Sequence, residues 1–155
     1  MRKAIDMNKK SYRILGLALL LISWLGIPGG EVWGDPSTAG SGTKTQIIQS
    51  ISAKEAFDLI EKNHDNQDFI LLDVRTPEEF EAEHIQGAVD LDYYGSNFVR
   101  KLKRLDKEKT YLLYCRSGNR SGQTLQLLEK LGFREVYHIS GGMIEWKDSG
   151  LPYNH

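Results

Sequence analysis

The chain has 155 residues, of which 40% are apolar and 26% are charged, so it has room for one domain of ordinary globular composition. Lysine and arginine together number 20, against 21 aspartate and glutamate residues. Because neither sign of charge dominates, the composition does not favour nucleic acid or an anionic membrane surface as a partner.

The first 34 residues have the pattern of an export signal. Basic residues within 2–13 precede an uncharged apolar stretch over 14–27, which Pro28 and two glycines end. This stretch is shorter than the roughly 20 residues that a membrane-spanning helix needs. We therefore predict a signal peptide over 1–34 and an exported, periplasmic or extracytoplasmic protein. If the signal is not cleaved, the alternative is a membrane tether formed by residues 14–27.

Residues 35–46 are rich in Gly, Ser and Thr, which predicts a flexible linker. Over residues 47–154, short apolar runs alternate with amphipathic segments. This alternation is typical of an α/β domain. We predict a single domain over 47–154 with a mainly parallel central sheet flanked by helices on both faces.

The first half of this domain contains two helix starts. Ser52 begins a capping box that opens a helix, and Thr76 followed by Pro77 starts a second, short helix. Between them, the apolar run 69–74 is suited to a central strand, and a further strand is predicted over 85–91.

The second half continues the alternation. A helix with Phe98 on its apolar face carries a basic run on the other side, which is interpreted as a solvated face. A buried strand over 110–114, a helix over 121–131 and a strand over 135–139 follow. After two glycines, the segment with Met143, Ile144 and Trp146 is expected to lie in the core.

Cys115 is the single cysteine, so an intrachain disulfide is impossible. The segment Cys115-Arg116-Ser117-Gly118-Asn119-Arg120-Ser121 connects a predicted strand to a predicted helix. A loop that curls at the start of a helix turns its N–H groups inward and adds the positive end of the helix dipole. Gly118 permits the positive φ that such a curl needs. These donors, with Arg116 and Arg120, favour the thiolate, which is the nucleophile.

The same loop has a plainer interpretation, in which Gly118-Asn119 is a surface turn and Cys115 is a small buried hydrophobic residue. Arginines one and five positions after a lone cysteine, with a glycine between them, favour a site instead. We expect Arg120 to face solvent.

Three separated motifs resemble the rhodanese family. One is the loop 115–121 itself. Residues 71–80 and 84–88 resemble the family's earlier signature, and Gly141-Gly142-Met143-Ile144-Glu145-Trp146 resembles its closing one. The sequence departs at Glu83, where many members have glycine.

The resemblance implies a single-domain sulfurtransferase without a cofactor. Cys115 would take the outer sulfur of a small anionic donor such as thiosulfate, and the persulfide would pass that sulfur to cyanide or a thiol. The resemblance places donor binding on Arg116 and Arg120, and persulfide stabilisation on the backbone amides of Ser117, Gly118, Asn119, Arg120 and Ser121. It leaves Asp73, Arg75 and His84 as structural supports, because the mechanism needs no general base. We predict no metal site and no nucleic-acid partner.

Two alternatives remain from the sequence. One is a binding module that carries sulfur or senses redox state without turnover. The other is a cysteine-loop phosphatase or arsenate reductase. In the phosphatases of similar architecture, five residues separate the cysteine from the arginine, whereas four separate Cys115 from Arg120. The tighter loop favours a single added sulfur atom.

Overall fold

A computed structural model of the protein describes residues 45–155. The strands are β1 (Ile47–Ile51), β2 (Phe69–Asp73), β3 (Val89–Asp90), β4 (Thr110–Tyr114) and β5 (Glu135–Ile139). The helices are α1 (Ala53–Lys62), α2 (Pro77–Ala82), α3 (Phe98–Leu102), α4 (Asn119–Lys130) and α5 (Gly142–Asp148). Strands and helices therefore alternate along this part of the chain, as the sequence predicts.

The five strands form one sheet in the order β1-β5-β4-β2-β3, and the four strand pairings within residues 45–155 are all parallel. Parallel neighbours need crossover connections, and the helices supply them. The carboxyl ends of β2 and β4 consequently meet at one edge of the sheet, with Asp73 paired to Tyr114. This edge is where open α/β sheets bind ligands.

The core is divided between the two faces of the sheet. Along β4, Tyr111 and Leu113 pack on the face covered by α3 and α4, while Leu112 and Tyr114 pack on the face covered by α1 and α5. This alternation is the two-residue period of a strand buried on both sides. The predicted fold class, with helices on both faces, is confirmed.

Capping fixes the starts of α1 and α2 where the sequence predicts them. The Ser52 hydroxyl accepts from the Glu55 N–H at 3.3 Å, and the Glu55 carboxylate accepts from the Ser52 N–H at 2.8 Å. Thr76 and Glu79 make the same reciprocal pair at the start of α2, with Pro77 as its first residue.

Three local expectations are wrong. The predicted strand over 85–91 is reduced to Val89–Asp90, because it lies at the sheet edge with β2 as its partner. Ile144 is not a core residue, since it lies on the outer side of α5 and is 44% exposed. Helix α4 begins at Asn119, two residues earlier than predicted, because Gly118 turns the chain directly into it.

The predicted signal peptide and nearly all of the predicted linker lie outside the described residues. Within 45–155, none of the helices is long and apolar enough to cross a membrane.

Candidate active site: the Cys115 loop

Cys115 follows β4 directly and is 1% exposed, with its side chain on the face that α4 covers. The next two residues, Arg116 and Ser117, are exposed, and Gly118 is buried again. The sulfur therefore lies at the base of a short loop whose rim faces solvent.

Hydrogen-bond donors surround the sulfur. The Ser121 N–H and the Ser121 hydroxyl each lie 3.5 Å from the Cys115 Sγ. Burial by itself would raise the pKa of the Cys115 thiol. The hydroxyl and N–H of Ser121, together with the N–H groups of Ser117 and Gly118, outweigh burial and lower that pKa below its ordinary value. The loop thus favours a buried thiolate.

The amide groups face inward because helix α5 binds the carbonyl groups of the same loop. The Met143 N–H donates to the Cys115 carbonyl at 2.8 Å, and the Ile144 N–H donates to the Arg116 carbonyl at 3.0 Å. A Cβ on Gly142 would lie 2.3 Å from the Cys115 carbonyl oxygen, so only glycine allows this approach. The closing motif therefore orients the peptide groups around the sulfur.

Gly118 makes the turn into α4 with a φ of 83°. A Cβ at this position would lie 1.7 Å from the Ser140 carbonyl oxygen. The position therefore requires glycine both for its backbone conformation and for space. Asn119 follows as the first residue of α4, and its side chain accepts from Gln123 at 2.7 Å.

Arg120 does not face solvent, contrary to expectation. Its guanidinium donates to both carboxylate oxygens of Glu79 at 2.7 and 2.9 Å, and the two side chains are 14% and 29% exposed. The hydrogen bond from Arg120 lowers the pKa of Glu79. This pair ties α2 to the start of α4, next to the sulfur.

Arg116 is placed differently from Arg120. It is exposed and lines a cavity of about 300 Å³ that also contacts Arg75, Glu79, Met143 and Lys147. Arg116 is the loop residue that lines this cavity; Glu83 also lines it, and Cys115 does not.

Asp73 and Arg75 form a buried ion pair at the end of β2. The Arg75 Nε lies 2.9 Å from each Asp73 carboxylate oxygen, and the Arg75 guanidinium also donates to the Glu83 carbonyl. Burial opposes the charged form of Arg75, but the hydrogen bond and charge of Asp73 raise its pKa. The pair fixes the strand end beside β4 and joins it to the end of α2.

His84 lies after α2, where its ring stacks on Phe80 and its Nδ1 lies 3.0 Å from the Phe80 carbonyl oxygen. The backbone of His84 exchanges hydrogen bonds with Asn154 at 3.0 and 2.8 Å. These contacts join the chain's last residues to the domain. No group of three or more His, Cys, Asp or Glu side chains within 45–155 is placed to hold a metal ion.

Two residues that contact the loop are not evident from the sequence. Glu79 caps the start of α2 and also binds Arg120. His138, on β5, was not singled out, although its Nδ1 lies 3.3 Å from the Ser121 hydroxyl oxygen. The alternation of β5 could have placed the His138 side chain on the α4 face, but the residue that it meets there depends on the tertiary fold.

The fold, the loop and the three motifs define a rhodanese-like domain. Residues 52–149 match the family model described as Rhodanese-like domain, and the chain belongs to that family. The resemblance inferred from the sequence is therefore confirmed.

Among similar proteins is the thiosulfate sulfurtransferase GlpE of Coxiella burnetii, which is 36% identical over 101 residues, covering 65% of this chain and 89% of that one. A Synechocystis protein is 45% identical over 83 residues, which cover 54% of this chain and 45% of the relative, so the chain spans less than half of that protein. The crystal structure of a rhodanese-related protein of Thermoplasma volcanium superposes with a TM-score of 0.57 at 28% identity, covering 68% of this chain and 97% of that one.

Proposed function

We propose that this protein is a sulfurtransferase that moves a sulfane sulfur from thiosulfate or a persulfide donor to a thiol or cyanide through a persulfide on Cys115. The observation that carries the proposal is the set of donors aimed at a buried sulfur, which lower the pKa of the Cys115 thiol against the effect of burial. The similarity to a thiosulfate sulfurtransferase supports the same reaction.

The reaction proceeds in two displacements on sulfur. The Cys115 thiolate attacks the outer sulfur of thiosulfate, a bond forms between the two sulfurs, and the sulfur–sulfur bond of thiosulfate breaks with its electron pair leaving on sulfite. The acceptor then attacks the outer sulfur of the persulfide, and the thiolate is regenerated. Because the loop favours the Cys115 thiolate, the first displacement needs no general base; in the second, the acceptor attacks as cyanide or as a thiolate.

Different residues of the loop stabilise the sulfur and bind the donor. The N–H groups of Ser117, Gly118 and Ser121 stabilise the negative charge on the sulfur before and after transfer. Arg116, exposed on its cavity, attracts the anionic donor. Arg120 donates one N–H from each terminal nitrogen to Glu79, contributes positive charge near the sulfur, and has further N–H groups for the anionic donor.

The spacing of the loop disfavours a phosphatase or arsenate reductase. Four residues separate Cys115 from Arg120, which makes a tighter ring than the five-residue spacing of the phosphatases. The non-turnover binding module is less favoured for another reason. A redox-sensing cysteine also has a lowered pKa, so this reason is the similarity to a thiosulfate sulfurtransferase.

The test is the intact mass of the purified protein after incubation with thiosulfate. Wild-type protein is expected to gain one sulfur atom, and Cys115→Ser is expected to gain none. Cyanide should then remove the added sulfur and release thiocyanate in equal amount. A wild-type protein that gains no sulfur and has no transferase activity would contradict the proposal and favour the binding module. Faster turnover of an aryl phosphate than of thiosulfate would favour the phosphatase.

We also propose that the protein acts outside the cytoplasm, in the periplasm or an equivalent compartment. The support is the basic segment followed by the apolar stretch over 14–27. Fractionation of cells that express the full chain tests this location, and the mass of the exported form shows whether the signal is removed. Protein found wholly in the cytoplasm would contradict the proposal.

A further inference from the structure

A buried histidine lies behind the Cys115 loop and has no part in the reaction described above. His138 is on β5, is 7% exposed, and packs against the first turn of α4. A Cβ added to Gly122 would lie 3.5 Å from the Cε1 of the His138 ring. The imidazole therefore lies against the helix, next to Ser121.

The two ring nitrogens of His138 connect two serines. The Nδ1 lies 3.3 Å from the Ser121 hydroxyl oxygen, and the Nε2 lies 2.8 Å from the Ser50 hydroxyl oxygen on β1. The Ser121 hydroxyl in turn lies 3.5 Å from the Cys115 Sγ. Ser50 is exposed, so a continuous line of polar atoms runs from the buried sulfur to the surface at β1.

The Ser121 hydroxyl has a single proton, so it can donate to only one of its neighbours at a time. The proton can be donated to the Cys115 sulfur, to the Gly118 carbonyl at 3.2 Å, or to the His138 Nδ1. A serine hydroxyl has one proton to donate and can accept two hydrogen bonds. When it donates to the thiolate, the Nδ1 that faces its oxygen must carry a proton, since two lone pairs would otherwise face each other.

We infer that His138 is a positioning residue for the nucleophile. Its Nδ1–H donates to the Ser121 oxygen and so removes His138 as an acceptor of the Ser121 hydroxyl proton, while Ser50 donates to the His138 Nε2. The Gly118 carbonyl already accepts from the Gly122 N–H at 2.8 Å, so the hydroxyl proton is directed onto the Cys115 sulfur. The inference rests on the proposed function only in naming Cys115 as the nucleophile, because the hydrogen-bond arrangement concerns the thiolate itself.

The electrostatic surroundings agree with this arrangement. Burial lowers the pKa of His138 and so favours the neutral ring, which carries one proton on one nitrogen or the other. The ring nitrogens meet Ser50 from β1 and Ser121 from α4, and neither of these side chains is charged. The exposed Ser50 hydroxyl can rotate to donate to the His138 Nε2, so the contact with Ser50 is compatible with a proton on the Nδ1.

Two variants of His138 separate this role from packing. In His138→Asn, the side-chain amide can replace the Nδ1–H toward Ser121 but does not reach Ser50. In His138→Gln, the amide lies where the Nε2 was, so it can reach Ser50 but not Ser121. Both variants lose the ring, so a general packing defect would affect them alike.

The readout is the pKa of the Cys115 thiol, measured by the ultraviolet absorbance of the thiolate, which reports one site because the chain has one cysteine. We expect His138→Asn to retain the wild-type pKa and His138→Gln to raise it by about one unit, a tenfold loss of thiolate below the pKa. Ser121→Ala should raise the pKa at least as much, and adding His138→Gln to it should have no further effect. His64→Gln, at an exposed histidine, serves as the control.

Equal pKa values for the Asn and Gln variants, whether raised or unchanged, would overturn the inference. Nitrogen NMR of wild-type protein gives a second measurement that does not depend on variants that fold. A proton on Nδ1 with a bare Nε2 is expected at a pH where Cys115 is ionised, and a proton on Nε2 would overturn the inference. Neither measurement requires sulfur transfer, so a protein that accepts no sulfur would refute the proposed function and leave this result standing.

Discussion

Replacement of Arg120 by alanine tests whether the loop arginine acts through its pairing with Glu79. Hydrogen bonds to charged groups contribute about 1.5–3 kcal/mol when shielded, and exposed ion pairs contribute about 0–1 kcal/mol. The side chains of this bidentate pair are 14% and 29% exposed, so the contribution of the pair lies between those of a shielded hydrogen bond and an exposed ion pair. We therefore expect a coupling energy of about 1–2 kcal/mol between these residues.

The coupling is measured by a double-mutant cycle with Arg120→Ala and Glu79→Ala, using urea denaturation of all four proteins. The cycle is necessary because Glu79 also accepts from the Thr76 N–H in its capping box. Glu55 supplies a matched control, since it occupies the same capping position in α1 next to Ser52. Glu79→Ala should destabilise more than Glu55→Ala.

For a domain of about 100 residues, each kcal/mol lost lowers the Tm by about 4–8 °C, so the loss of the pair corresponds to a fall of about 4–16 °C. Persulfide formation should fall together with stability, because the arginine holds the start of α4 next to the sulfur. A coupling energy of zero, with Arg120→Ala as stable as the wild type but inactive, would refute this reasoning. It would instead support the original expectation of an arginine that faces solvent and serves the donor alone.

Two further outcomes are expected. Gly118→Ala should destabilise the protein by at least about 2 kcal/mol more than Gly132→Ala in urea denaturation. Both positions have a φ near 80°, but an added Cβ meets a carbonyl oxygen at 1.7 Å only at Gly118, so equal losses would contradict the packing argument. The thiolate of Cys115 should also make stability depend on pH, because its folded pKa is lowered from 9.0. Between the folded pKa and 9.0, the unfolded state binds more protons than the folded state. The difference in the free energy of unfolding between wild type and Cys115→Ser should therefore grow as pH rises, and its pH-dependent part should vanish as pH falls through the folded pKa. A difference that stays constant with pH would contradict the lowered pKa.

Local patterns in the sequence predicted most of the elements of the domain. The strand over 110–114 and the capped starts after Ser52 and Thr76 are correct, because continuous apolar runs and capping boxes act within a few neighbouring residues. The strand over 85–91 was overestimated for the same reason. Its apolar residues are consistent with a strand, but Val89 is 55% exposed at the sheet edge, and the run itself does not indicate which strand ends the sheet.

The cysteine loop could be located from sequence because its residues are contiguous. The partners that act on it could not be located in that way. Glu79 is 41 positions from Arg120, and Ser50 is 88 positions from His138. Such contacts depend on the order of strands in the sheet, which places β1 beside β5, and a single sequence contains no local signal for that order.

The dependence of the loop on α5 has a consequence for protein engineering. The N–H groups of Met143 and Ile144 hold the carbonyls of Cys115 and Arg116, so the reactive heptapeptide does not contain all the information for its own geometry. Grafted alone onto another parallel sheet, it would be free to rotate its peptide planes and would leave the sulfur an ordinary thiol. A successful transplant would have to carry the double glycine and the helix that follows it as a second, separate insert.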